Sequence, residues 1–148
     1  MPTILVVDDD EATRLALQAL LKRHSFDVVL ASDGSTGLRL IEERSCDVAI
    51  IDIFMPGMDG IATIRQLVKL DPNLPFIAMS GYAFTDRNQG APDFLGMTVR
   101  LGATAALQKP FKSAELLGAI EHCFEVRRRW AAGIRLERSE HPAARRAS

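Results

Sequence analysis

The sequence predicts an α/β fold: a doubly wound sheet of five parallel strands with helices on both faces. Three observations predict it. Short β-branched runs alternate with longer amphipathic stretches across mostly short connections, the pattern of repeated β-α units. Val48-Ala49-Ile50-Ile51 is apolar without interruption, as a central strand covered on both faces should be. Four apolar runs also end on polar residues: Asp8 and Asp9 after Ile4–Val7, Asp52 after Val48–Ile51, Ser80 after Phe76–Met79, and Lys109 after Ala105–Gln108. Parallel strands deliver their C-terminal tips to one edge, where the ligand sites of open α/β sheets lie.

Strands are expected at Thr3–Val7, Asp27–Ala31, Val48–Ile51, Phe76–Met79 and Thr104–Leu107. Helices are expected at Glu11–His24, Ser35–Arg44, Gly60–Leu70, Pro92–Leu101 and Ser113–Arg129. In the first helix Leu17, Leu20, Leu21 and His24 recur at helical spacing, and the Asp10 carboxylate can cap its orphan N–H groups. Asp59 can cap the third helix and Ser113 the fifth, with Glu115 favourable in the first turn. From Ser80 to the Gly102-Ala103 turn run roughly twenty residues, a length typical of functional or mobile loops. Beyond Trp130 the composition reads as a fraying helix passing into disorder.

The 148 residues fit one domain, long enough to bury roughly two-thirds of its unfolded surface. No apolar run approaches the roughly 20 residues that span a bilayer, so no membrane role is expected. The N-terminus has no charged segment and apolar block of a secretory signal. Cys46 and Cys123 form neither a disulfide framework nor a CxxC site, so a reduced, cytoplasmic setting is expected. Charge is uneven. Residues 1–124 carry 11 Lys+Arg against 16 Asp+Glu, whereas residues 125–148 carry 7 Arg against 3 Glu.

Three carboxylates converging at one edge would raise each other's pKa unless a cation neutralised them. Mg²⁺ suits such a site, being small, oxygen-seeking and content with one or two carboxylates, waters and a phosphate. Lys109 then offers a positive charge to a phosphoryl oxygen and Ser80 a hydrogen-bond donor. Phosphoryl transfer needs mainly positioning and charge neutralisation, so this set would serve an aspartyl nucleophile. Acidic residues also cap helices and end strands without any chemistry; the ordered set at matching strand ends is what favours a site.

The motifs Ile-Leu-Val-Val-Asp8-Asp9-Asp10, Asp52-Ile-Phe-Met-Pro56-Gly-Met-Asp59-Gly60, Ser80-Gly81, Gly102-Ala103 and Lys109-Pro110-Phe111 stand in that order along the chain. Over about residues 2–125 it resembles the receiver domain of two-component response regulators, which includes the chemotaxis response regulator. The resemblance implies a flavodoxin-like fold and makes Asp52 the acceptor of a phosphoryl group from a sensor histidine kinase or a histidine phosphotransfer protein. It implies Mg²⁺ held by Asp9 directly, by Asp8 through water, by Asp52 and by the Phe54 backbone carbonyl. Ser80, Lys109 and the Gly81 N–H would meet the phosphoryl oxygens, and Lys109-Pro110 is a candidate cis peptide. The chain would be a self-catalysed phosphoacceptor rather than an enzyme, signalling to a downstream protein by contact through its fourth helix, fifth strand and fifth helix. Pro56-Gly57 would supply the sharp turn that presents the Phe54 carbonyl.

The expected organisation is a receiver over residues 1–125, then a basic helical extension and tail over 126–148 with no output domain. Arg127-Arg128-Arg129-Trp130 reads as a solvated basic face, or as a surface for nucleic acid or an acidic partner, and Val126, Trp130 and Ile134, spaced by four, could dock an extended fifth helix on a second copy of the chain in a homodimer. No helix-turn-helix fits after the domain, so sequence-specific DNA binding is not expected. Cys123 falls on the inward stripe Leu116, Leu117, Ile120 and Phe124 and reads as core. His24, His122 and His141 have no ligand spacing. One departure from the family stands out: Ala106 occupies the fifth-strand position where many receivers carry an aromatic switch residue. Tyr82 or Phe84 in the long loop are the candidates to replace it. Three rival readings fare worse. A haloacid-dehalogenase-type phosphatase wants an acid where Phe54 stands, a Rossmann binder wants a glycine-rich turn after the first strand, and an inert scaffold of receiver shape would not need the complete acidic pocket.

Overall fold

A computed structural model of the chain describes residues 1–55, 60–81 and 94–133. In order, these form β1 (Thr3–Val7), α1 (Glu11–Arg23), β2 (Asp27–Ala31), α2 (Gly34–Glu43), β3 (Val48–Asp52), α3 (Gly60–Leu70), β4 (Phe76–Ser80), α4 (Phe94–Arg100), β5 (Ala105–Gln108) and α5 (Ser113–Ala131). All strand pairs are parallel, in the order β2-β1-β3-β4-β5. This is the five-stranded, flavodoxin-like α/β architecture expected from the sequence.

Alternation along the strands decides the two layers. Leu5, Val7, Ala49, Ile51, Phe76 and Ala78 pack with residues of α2, α3 and α4, including Leu38, Ile64, Leu67 and Val99. Ile4, Val6, Val48, Ile50, Ile77 and Met79 face the other way, against Leu17 and Leu21 of α1 and Leu116, Ile120 and Cys123 of α5. Each strand thus contributes to both cores because successive side chains point to opposite faces. β3 and β4 are buried at every residue, as a strand inside a doubly covered sheet must be. No described helix is long and apolar enough to cross a membrane.

The chain turns back at β1. After β2 forms at one edge, α2 carries it past β1 to β3, and the sheet then grows in the opposite direction. The crevice outside the tips of β1 and β3 is therefore the topological switch point. β3 and β4 take in Asp52 and Ser80 as their last residues, and β5 lies one residue later than expected.

Caps fix the helix starts. Asp10 caps α1 as expected, its Oδ2 accepting from the Thr13 N–H at 3.1 Å and the Thr13 hydroxyl at 2.6 Å. Asp33, which the sequence reading passed over, caps α2 by accepting from the Thr36 N–H at 2.7 Å. Ser113 is not the cap of α5. The chain stays extended through Lys112, and the Glu115 carboxylate accepts the Lys112 N–H at 3.1 Å, so Ser113 is already the first helical residue. His24 ends α1 exposed, outside the buried stripe. Asp59, Pro92, His141 and the tail from residue 134 lie outside the described residues.

The basic cluster on α5 needs correcting. Arg127 is not simply solvated: its Nη1 donates to the carbonyl oxygens of Cys46 at 3.1 Å and Asp47 at 3.0 Å, and its Nη2 lies 3.6 Å from Asp47 Oδ1. The other Asp47 oxygen accepts the Thr3 N–H at 2.7 Å, so one carboxylate joins the starts of β1 and β3 to the end of α5. Arg129 makes an exposed pair one helical turn away, 3.2 Å from Glu125. Cys123 is fully buried, and burial pushes its thiol up to about 12, as fits a small core residue.

α1 and α4 both end in a left-handed turn. After α4, Gly102 (φ 114°) donates to Val99 O and Ala103 to Thr98 O; after α1, Ser25 (φ 67°) donates to Lys22 O and Phe26 to Leu21 O. The motif is the same, but Ser25 carries a Cβ into the left-handed region. Ser25→Gly should therefore stabilise the fold by about 0.5–1 kcal/mol. A thermal melt at or below that of the parent chain would contradict this.

Candidate functional site

Asp8 and Asp52 are the residues that follow the paired positions Val7 and Ile51 on neighbouring strands. Their backbones are held by strand-like bonds, Asp8 N–H to Ala31 O at 3.1 Å and Ile53 N–H to Met79 O at 3.0 Å. Two carboxylates are thus brought side by side at the switch point by the sheet itself. Both are buried, whereas Asp9 is exposed, and one oxygen from each of the three lies within 4.8 Å of the others.

Lys109 reaches into this cluster from the far edge of the sheet. Its Nζ lies 2.7 Å from Asp8 Oδ2 and 3.3 Å from Asp52 Oδ2. The remaining oxygens are also engaged, Asp8 Oδ1 by the Asp10 N–H at 2.9 Å and Asp52 Oδ1 by the Phe54 N–H at 3.0 Å. The lysine is anchored at its root, where its N–H donates to Ser80 O at 2.8 Å and the peptide to Pro110 is cis. Gly81 leaves room for the stem, since a Cβ there would stand 3.3 Å from Lys109 Cβ.

Charge and burial oppose each other in this pocket. Burial pushes the Asp52 carboxyl up to about 6, and the neighbouring Asp8 charge adds to the rise, while the Phe54 N–H and Lys109 hold it back. Burial pulls the Lys109 ammonium down, but its hydrogen bond to Asp8 and the charges of Asp52 and Asp8 outweigh this and raise it. Lys109 is therefore a fixed cation, and Asp52 is a carboxylate that a second cation would help to keep ionised.

Asp8, Asp9, Asp52 and Lys109 are brought together as the sequence predicted. Ser80 and Gly81 join them through the root and stem of Lys109, with Ser80 fully buried at the tip of β4. Phe54 is tied to Asp52 through its N–H. Pro56, Gly57, Met58, Tyr82 and Phe84 lie outside the described residues. Two residues were missed. Arg14 Nη1 donates to the Asp8 carbonyl oxygen at 2.7 Å, and the only hint in the sequence is a cation one turn into the helix after an acidic run. Gly60, the first residue of α3, sits against the backbone of Asp52 and Ile53, where a Cβ would overlap the Asp52 carbonyl oxygen and Ile53 Cα. The all-oxygen donor set of Asp8, Asp9 and Asp52 fits a hard divalent cation.

The profile of the response regulator receiver domain family matches residues 4–121. The chain belongs to the response regulator receiver domain family. Among curated relatives, this receiver is 35% identical over 118 residues to the transcriptional regulatory protein ZraR of Escherichia coli O157:H7, covering 80% of the chain and 25% of the relative. It is 37% identical over 114 residues to the response regulator MprA of Mycobacterium sp. (strain KMS), covering 77% and 46%. The chain thus spans only about a quarter to a half of these relatives. Among solved structures, a response regulator receiver domain protein from Clostridium thermocellum superposes with a TM-score of 0.77 at 28% identity, covering 88% of this chain and 99% of that one. A CheY-like receiver protein from Methanospirillum hungatei JF-1 gives 0.76 at 27% identity, covering 88% and 98%.

The raised Asp52 carboxyl has a stability consequence for this receiver. A group whose folded pKa exceeds its unfolded value binds more protons when folded, so its contribution favours folding at low pH and is lost as pH rises from about 4 to about 6. Above that range the ionised group costs stability. Asp52→Asn in EDTA at pH 7.5 should therefore unfold with about 1–3 kcal/mol more stability than the parent, and the advantage should shrink below pH 5. Equal denaturant midpoints at pH 7.5 would count against the burial argument. Gly60→Ala should destabilise by about 3 kcal/mol, because backbone rather than a movable side chain blocks the Cβ. An unchanged melt would mean that α3 can shift away from Asp52 at little cost.

Proposed function

We propose that this chain is a phosphoacceptor receiver in which Asp52 takes a phosphoryl group from a phosphohistidine on a sensor histidine kinase or a histidine phosphotransfer protein. The observation that carries the reading is the Lys109 ammonium set between the Asp8 and Asp52 carboxylates, with Asp9 beside them. In the transfer, an Asp52 oxygen attacks phosphorus, the P–N bond breaks, and the imidazole leaves with the bonding pair. Lys109 would follow the charge onto a phosphoryl oxygen, and the Ser80 hydroxyl and Gly81 N–H would donate to the others. Asp8, Asp9, Asp52 and the Phe54 carbonyl would hold Mg²⁺, which when bound neutralises charge on the transferring group.

An open groove of about 690 Å³ lies beside Lys109, between α1 and the turn into α5. Its lining combines apolar Ala16, Leu20 and Phe111 with the polar Thr13, Arg23 and Lys109, a surface that the partner bearing the phosphohistidine would cover. Output would be a contact with a downstream protein through α4, β5 and α5, where Ala106 takes the place of an aromatic. The division into a receiver over 1–125 and a helical extension over 126–148 is part of this proposal, and Arg127 ties the first turns of that extension to the receiver body. Transcriptional control is a property named for the longer relatives. Sequence-specific DNA binding is not assigned to residues 126–148.

The test is incubation with acetyl phosphate and Mg²⁺, followed by intact mass measurement. The parent chain should gain one phosphoryl group, and Asp52→Asn should gain none. No gain in the parent would reject the phosphoacceptor reading, and a gain that survives the substitution would move the acceptor elsewhere.

A further inference from the structure

We infer that Arg14 is a positioning residue for the acidic pocket, holding the backbone that aims Asp9 at a cation; the inference rests on the reading of Asp9 as a metal ligand. The three consecutive acids have three different fates. Asp8 is buried with both oxygens engaged, by the Asp10 N–H and by Lys109. Asp10 spends its carboxylate on capping α1. The exposed Asp9 carboxylate has no hydrogen bond or ion pair among the described residues, and what those residues do hold is the backbone on either side of it.

That backbone is gripped on both sides. The carbonyl before Asp9, that of Asp8, accepts from Arg14 Nη1 at 2.7 Å, and the N–H after it, that of Asp10, donates to Asp8 Oδ1 at 2.9 Å. Arg14 is itself seated by the first bond of α1, its N–H donating to Asp10 O at 3.0 Å. The three bonds close a loop around Asp9 in which the guanidinium is the only side chain from outside the acidic run. A metal ligand whose backbone is already fixed loses less freedom on binding than one on a loose loop. Hydrogen bonds behind a ligand shell typically govern affinity by 10–100-fold.

The sign of the effect separates this role from simple charge. As a cation near the pocket, Arg14 repels a divalent ion, so its loss would tighten binding if charge were all that mattered. As a positioning group, its loss weakens binding. The experiment is calorimetric titration of the full chain with MgCl₂, comparing the parent with Arg14→Gln, Arg14→Lys and Asp9→Asn. Arg14→Gln should bind Mg²⁺ about tenfold more weakly, and Arg14→Lys, which keeps one donor, should recover part of the loss. Amide hydrogen exchange in EDTA should quicken at Asp9 and Asp10 in Arg14→Gln while the β3 and β4 amides stay protected. Unchanged or tighter Mg²⁺ binding in Arg14→Gln would overturn the inference, as would unaltered exchange at Asp9. If Arg14→Gln does not fold, Arg14→Met, which keeps the stem and removes every donor, takes its place, and parental affinity with parental exchange in that variant would reject the role. A parent chain that binds no Mg²⁺ would remove the metal site itself and the inference with it, an outcome distinct from an Arg14 variant that binds normally.

Discussion

The charges of two carboxylates buried at the tips of neighbouring strands repel each other unless a positive charge lies between them. Lys109 is that charge. It contacts Asp8 across 101 residues of sequence and Asp52 across 57, so the interaction exists only when β1, β3 and β5 stand in their final order. Much of the surrounding structure serves to deliver this ammonium. The Ser80 carbonyl fixes its root, and the bare Gly81 backbone lets the stem pass. A buried ion pair of this kind is weak evidence for stability, because desolvation cancels much of the attraction. What it does in the structure is hold two buried carboxylates side by side, next to the exposed Asp9.

The sheet topology explains why the acids come from these strands. β1 is the strand at which the winding reverses, so no helix crosses the crevice between its tip and that of β3. The acidic run then divides its labour by position. Asp8 continues the strand and points into the protein, Asp10 starts the helix, and Asp9, between them, is left facing outward. The three residues between β1 and α1 thus take three different environments, with Arg14 holding the backbone between the first and the second.

Most of the fold was legible because periodicity and punctuation agreed. β1, β2 and α3 fall on their expected ranges, and Asp8, Asp9, Asp52 and Lys109 meet as expected because strand-tip placement is a direct consequence of parallel topology. The failures share a physical cause. Lys112 rather than Ser113 takes the N-cap position of α5 because the chain leaves the Pro110 turn extended, a tertiary constraint that no local propensity records. A basic run looks the same whether solvated or bound, and the partners of Arg127 are carbonyls some 80 residues away that carry no side-chain signal. Arg14 was illegible for the same reason, since it too bonds to a backbone oxygen. β5 slipped by one residue because two adjacent alanines mark neither face strongly.

The contact between Gly60 and the backbone of Asp52 and Ile53 has a mechanical meaning. Between most helices and strands lie side chains, which absorb small displacements by changing rotamer. Here no side chain intervenes, and the Gly60 N–H also donates to the Ile53 carbonyl at 3.3 Å. The first turn of α3 and the tip of β3 are therefore joined like a strut to its footing. A displacement of the Asp52 main chain towards Gly60 would meet helix backbone at once, with no side chain between them to absorb it.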